Sequence, residues 1–444
     1  MLIALTLLTA VVAAYALRRQ HYLLGTSVAL FGMYELLGPL LYYYDDGEFA
    51  QLMYLYNLVA TDDLVNVHVE LIATFLMFFL AGYLLLPLLI ERIFSWNFAS
   101  TFFETHEIVE DRQFKRFYIL LVVLTIFGLI SVSQGVGTQR LHDYLGYEYN
   151  VTPFYSYGTL LLCGTAPLIV YAVRTRQIAK LLLIILAILP IASQIFISSR
   201  RQFFAPLILF FVFYLLYKRG SVKRFAWLGA FLVVSIIFLG LQVQMRILIT
   251  GVDYTNTDTA TAVAVQVAEF IAISSTTLYS IVYVDPAYFT NFLHFIVMGV
   301  SNVIPYLKLG DLLFPDYTQG IQRMFETVAP FGGLSVIAES YASAGYVGVG
   351  VVAMLSGAIF QYGHLAWRAY SGNEAFLSPR LIFFASLICI LILKYRSGFT
   401  DAFLTSVNFG LLYTACVVPA MFAEGRMRRD RSTSNLTIAP KFKR

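Results

Sequence analysis

Apolar runs of about 20 residues recur from one end of this chain to the other, each closed by a short polar stretch. An α-helix needs about that length to cross the ~30 Å hydrocarbon core of a bilayer. The strands of a membrane barrel would instead show short segments alternating between apolar and polar residues. The pattern predicts about thirteen spans, near 1–17, 22–42, 66–91, 117–135, 156–173, 181–198, 203–217, 225–245, 266–284, 291–307, 336–361, 379–394 and 402–424. The stretch 266–307 reads either as two crossings or as partial, tilted helices. The expected fold class is an all-α polytopic membrane protein, with residues 1–424 as one integral domain and 425–444 as a basic, disordered tail.

Composition agrees. Of the 444 residues, 59% are hydrophobic and 13% charged, with a mean hydropathy of +0.74. Soluble domains hold about 45–50% apolar and about 25% charged residues. Cys163, Cys389 and Cys416 all fall inside apolar runs, without metal spacing or a disulfide framework. Met1–Leu17 lacks the charged leader of a cleaved signal peptide and reads as a retained helix. The net charge of +4 matters less than where the charges lie. With the C-terminus inside, 22 of the 30 Lys and Arg residues fall on inner segments and the alternation holds at every loop. This places the N-terminus outside and the tail from Arg426 in the cytoplasm. That tail orients the last helix or meets anionic lipid.

Candidate chemistry gathers on the outer side. The long polar interruption from Asp311 runs into the next apolar stretch at Gly332–Gly350, which carries Glu339 just inside its start. An ionisable residue there is costly and marks a functional site by default. Glu339 reads either as a general base for a sugar hydroxyl or as the ion-pair partner of Arg323 or Arg396. Glu326 and Glu269 compete for the base role. Arg200 and Arg201 in a short turn, Arg246 at a helix exit, and Arg323 and Arg396 all oppose the inside bias of positive charge. A guanidinium offers a planar fork of donors suited to phosphate oxygens. The set therefore reads as an anion site, against snorkelling or pairing with carboxylates. Ala338, Ala342, Ala344, Gly345, Gly348 and Gly350 suit close helix packing. His21 and His364 at the inner boundary, and His142 and His294, read as structural. The outer tyrosines, among them Tyr42, Tyr43 and Tyr44, read as an interfacial belt. Span centres read as apolar, and no glycine-rich nucleotide loop or metal motif is present.

Three features carry a resemblance to a known family. They are the helix layout with one large outer loop late in the chain (308–335, beside a shorter one at 246–265), the segment ISSRRQFFAPLILFFVFYLLYKRG at Ile197–Gly220, and GGLSVIAESYASAGYVGVG at Gly332–Gly350. Together they resemble the bacterial O-antigen polymerases, the Wzy-type oligosaccharide repeat-unit polymerases. An arginine-to-glycine spacing found in some of that family is not evident after Arg200 or Arg201. The resemblance implies a metal-independent glycosyltransferase of GT-C-like architecture, without cofactor, in the bacterial inner membrane. It implies an undecaprenyl-pyrophosphate-linked glycan as donor and a lipid-linked repeat unit as acceptor, no nucleic acid, and a chain-length regulator and a flippase as partners in the membrane. An O-antigen ligase-type transferase and a lipid-linked oligosaccharide flippase or transporter are the alternatives.

Overall fold

In the computed structural model, residues 1–44, 61–94, 273–284 and 334–372 are described, with single residues at 126, at 209–217 and at 384–410. This part of the chain is almost entirely helical. Helix α1 is Leu2–Arg18, α2 is Tyr22–Tyr44, α3 is Asp62–Leu84, α4 is Leu86–Phe94 and α5 is Val336–Gly372. Residues 273–283 are also helical. Three helical stretches among these, Tyr22–Tyr44, Asp62–Ile93 and Val336–Arg368, are long and apolar enough to cross a membrane.

Local sequence sets the boundaries. Thr61 caps α3, its hydroxyl accepting from the Leu64 N–H at 3.3 Å, and Asp62 and Asp63 fill the first turn where the helix dipole favours negative charge. The helix starts at Asp62 rather than near 66 because this cap extends it outward past the apolar run. Its interruption at Leu85 precedes Pro87, which has no N–H for the Tyr83 carbonyl and disfavours helical backbone at Leu86.

Among the described residues, α2, α3 and α5 supply most of the core, with α1 packed onto it. Phe31 stacks on Phe75 with ring centroids 4.5 Å apart, and Phe79 meets Phe360 edge-on at 5.8 Å. Helices α3 and α5 run side by side in the same direction and touch through glycine. A Cβ on Gly82 would collide with the Met354 carbonyl, and one on Gly357 with the Phe79 carbonyl. Small residues that let backbones approach are the usual means of packing helices in lipid, where hydrophobicity no longer drives association. On the opposite face of α5, Val347, Val351, Leu355 and Ile359 form an exposed apolar stripe at four-residue spacing. Helix α1 exposes a similar stripe with Ile3, Leu7, Leu8, Val11 and Tyr15. These are the faces that suit lipid.

Helix α5 is broken. Ala344 has φ −160° and ψ 33°, and Gly345 has φ 58° and ψ −143°. The expected span at 336–361 is thus two helical segments in one line of chain, continuing to Gly372. Gly345 occupies backbone space that side-chain-bearing residues avoid, so its role is the break rather than the helix packing expected of it. Before the break, Ser340 and Ser343 turn their hydroxyls back to the carbonyls of Val336 and Glu339, a contact that bends helices. After it, the Tyr346 hydroxyl donates to Glu70 Oε2 on α3 at 3.1 Å.

Candidate functional site

Two polar clusters lie at opposite ends of the α3–α5 pair. Along α3 they are marked by His68 and Tyr83, about 22 Å apart at helical rise. The first cluster is centred on Glu35, fourteenth residue of α2 and 1% exposed. His68 on α3, fully buried, places Nε2 3.1 Å from Glu35 Oε2. The Ser335 hydroxyl donates to Glu35 Oε1 in a short hydrogen bond. The Thr277 hydroxyl lies 3.2 Å from both Glu35 Oε2 and Ser335 Oγ, and its single proton serves one of them. Thr276 Oγ1 accepts the Ser335 N–H at 3.0 Å and donates to the Ile273 carbonyl at 2.7 Å.

The backbone at Glu35 is equally accounted for. In a helix its carbonyl would accept from the N–H four residues on, but that residue is Pro39, which has none. The Ser274 hydroxyl takes the vacant place at 3.2 Å. Residues 273–283, with the sequence ISSTTLYSIVY, thus insert a row of hydroxyls between α2 and α5. All of Ser274, Ser275, Thr276, Thr277 and Ser280 are fully buried. Ser274 and Thr277 serve Glu35 directly, and Thr276 serves Ser335.

Ser335 joins this cluster to Glu339. Its Oγ accepts from the N–H groups of Ile337 and Ala338 at 3.0 and 3.4 Å, and its carbonyl accepts from the Glu339 N–H at 3.1 Å. Ser335 is the N-cap of α5, satisfying donors that the first helical turn leaves open. One turn on, Glu339 is 3% exposed, and its Oε2 accepts from the Phe399 N–H. Gly398 beside it has φ +81°, and a Cβ there would strike the Glu339 carboxylate. The backbone at 398–399 is therefore shaped to let an amide point at Glu339.

The second cluster closes the other end. His21 stacks on His364 at 4.3 Å between ring centroids, and His21 Nδ1 lies 3.0 Å from the Tyr83 hydroxyl. The Tyr217 oxygen accepts the Leu23 N–H at 3.3 Å, which leaves its own proton for His364 Nδ1 at 2.8 Å. Burial holds His21 below the usual histidine range, with the Arg368 guanidinium adding to the shift.

Of the residues singled out from sequence, Glu339 falls at a built site. Arg200, Arg201, Arg246, Arg323, Arg396, Glu269 and Glu326 lie outside the described residues. Arg396 is three positions before Phe399, whose amide holds Glu339. Sequence reasoning passed over Glu35 and His68, and its picture of apolar span centres is corrected by them. The available signal was a carboxylate within the run YELLGPLL, with proline four residues later. Among the described residues no group of His, Cys, Asp and Glu is arranged to hold a metal ion. No protein-family model, curated protein or solved structure matches this chain.

Proposed function

We propose that this protein is a polytopic glycosyltransferase of the repeat-unit polymerase type, with about thirteen spans and GT-C-like architecture, acting at the periplasmic face of the bacterial inner membrane. The observation that carries the reading is Glu339. It is a buried carboxylate fixed in the first turn of a broken helix, within the segment Gly332–Gly350 that resembles the polymerase family. In the proposed reaction the terminal hydroxyl of a lipid-linked repeat unit attacks the anomeric carbon of the growing glycan. The new C–O bond forms as the bond from that carbon to undecaprenyl pyrophosphate breaks. The hydroxyl proton passes to Glu339, and the leaving diphosphate is met by arginines drawn from Arg200, Arg201, Arg246, Arg323 and Arg396. Glu269 and Glu326 are the other carboxylates proposed for the base.

A transporter of lipid-linked oligosaccharide is the second reading. The discontinuity at Ala344–Gly345 and the buried Glu35–His68 pair favour it, because broken helices and paired intramembrane ionisable residues recur at transport sites. Reconstitution separates the two. Purified protein in liposomes receives undecaprenyl-pyrophosphate-linked repeat units without ATP or nucleotide sugar, with and without chelator. A ladder of glycan lengths is expected. Movement of the substrate across the bilayer without chain growth would replace polymerase by transporter.

A further inference from the structure

We infer that Glu35 is a positioning residue for Glu339, acting through Ser335, an inference that rests on the proposed role of Glu339. The path is continuous. Glu35 Oε1 accepts a hydrogen bond from the Ser335 hydroxyl, and the same Ser335 oxygen accepts from the Ile337 and Ala338 amides. The Ser335 carbonyl receives the amide of Glu339 itself. A serine cap alone can rotate about its side-chain torsion. Here the hydroxyl is held by Glu35 with Thr277 packed beside it, and the Ser335 backbone N–H is tied to Thr276. Glu35 is in turn held by His68, which fixes which carboxylate oxygen remains for Ser335.

The break in α5 makes this anchor necessary. Residues 336–343 form barely two turns before the backbone departs from helix at Ala344 and Gly345. So short a segment is not held straight by the helix that follows, and its orientation is set where its N-terminus is tied. At its other side the Phe399 amide grips the Glu339 carboxylate. Glu35 thus sets the direction of the first turn, and the amide at Phe399 sets the carboxylate within it.

Backbone hydrogen exchange on the purified protein in nanodiscs tests this without reference to activity. Ser335→Ala should speed exchange at 336–343 about tenfold, the scale of losing a helix cap, while 350–366 keeps its protection, and Glu35→Leu, which also lowers global stability, should speed 336–343 about tenfold more than it speeds 350–366. Ser335→Thr should restore slow exchange, and Glu35→Gln, which retains an oxygen for Ser335, should stay near wild type. Unchanged exchange at 336–343, or a uniform rise across α2, α3 and α5, would overturn the inference. In the polymerisation assay the same two variants should lower kcat about tenfold to a hundredfold with KM unchanged. A raised KM at constant kcat would count against positioning. If the wild-type protein makes no polymer, the functional reading of Glu339 fails, while the exchange pattern still decides whether Glu35 sets its helix.

Discussion

Glu35 and His68 have exchanged water for each other, for two hydroxyls and for the protein interior, and the balance of that exchange governs what their removal does. Taking one partner from a buried pair leaves the other charge or dipole without compensation, at a cost of about 3–5 kcal/mol. Glu35→Leu and His68→Leu should each destabilise the protein on that scale in detergent unfolding. The double variant should cost clearly less than their sum, since the group orphaned by one change is removed by the other. Strict additivity would mean that the pair is not energetically coupled despite its 3.1 Å contact. Glu339→Gln keeps an oxygen for the Phe399 amide but cannot take a proton. Polymer formation should fall about a hundredfold or more while the protein still accumulates in the membrane. Normal glycan ladders from Glu339→Gln would remove it from the base role.

Helix α5 gains its shape from a few glycines and serines, and here sequence and structure part company. The apolar runs gave α1, α2 and the body of α3 to within a few residues, because length and hydropathy alone decide whether a helix suits a membrane. The run from 336 also became helix, and Glu339 stood out as a costly carboxylate at its start. What no local pattern revealed is that Gly345 breaks the helix while Gly348 and Gly350 stay within it, since small residues at close spacing serve both ends equally. The Glu35 cluster was hidden for a related reason. Its members come from four separate stretches, with Ser335 three hundred positions from Glu35, and their meeting depends on how the helices pack. Gly82 and Gly357 offer a test at this scale. Each faces a carbonyl of the neighbouring helix with no room for a side chain. Gly82→Val or Gly357→Val should force α3 and α5 apart, costing about 1–3 kcal/mol or more and lowering the unfolding temperature. Val351→Leu on the exposed stripe should leave it unchanged. Equal tolerance at all three positions would show that the helices do not meet as described.

Among the described residues, two polar clusters tie the helices together at opposite ends of the α3–α5 pair, and the second includes a histidine outside the spans. His21 lies in the short connection between α1 and α2, stacked on His364 and beside Tyr83. Its imidazole is kept neutral, chiefly by burial and then by the nearby Arg368 charge, so its proton affinity in the folded protein lies below that of the unfolded chain. Above the ordinary histidine value of about 6.5, folded and unfolded states both carry His21 neutral and the stack is fully retained. As pH falls below that value the unfolded chain takes up a proton that the folded one refuses, and stability declines until the lowered folded value is passed. Protonation would also set a cation against the Arg368 guanidinium and the face of the His364 ring. Thermal unfolding in detergent should therefore show a melting temperature that drops as pH falls below about 6.5. His21→Gln should lessen that decline by the His21 share, because glutamine fills part of the same space without titrating. A decline of the same size in His21→Gln would assign the pH sensitivity to another group and leave the stacked pair as packing alone.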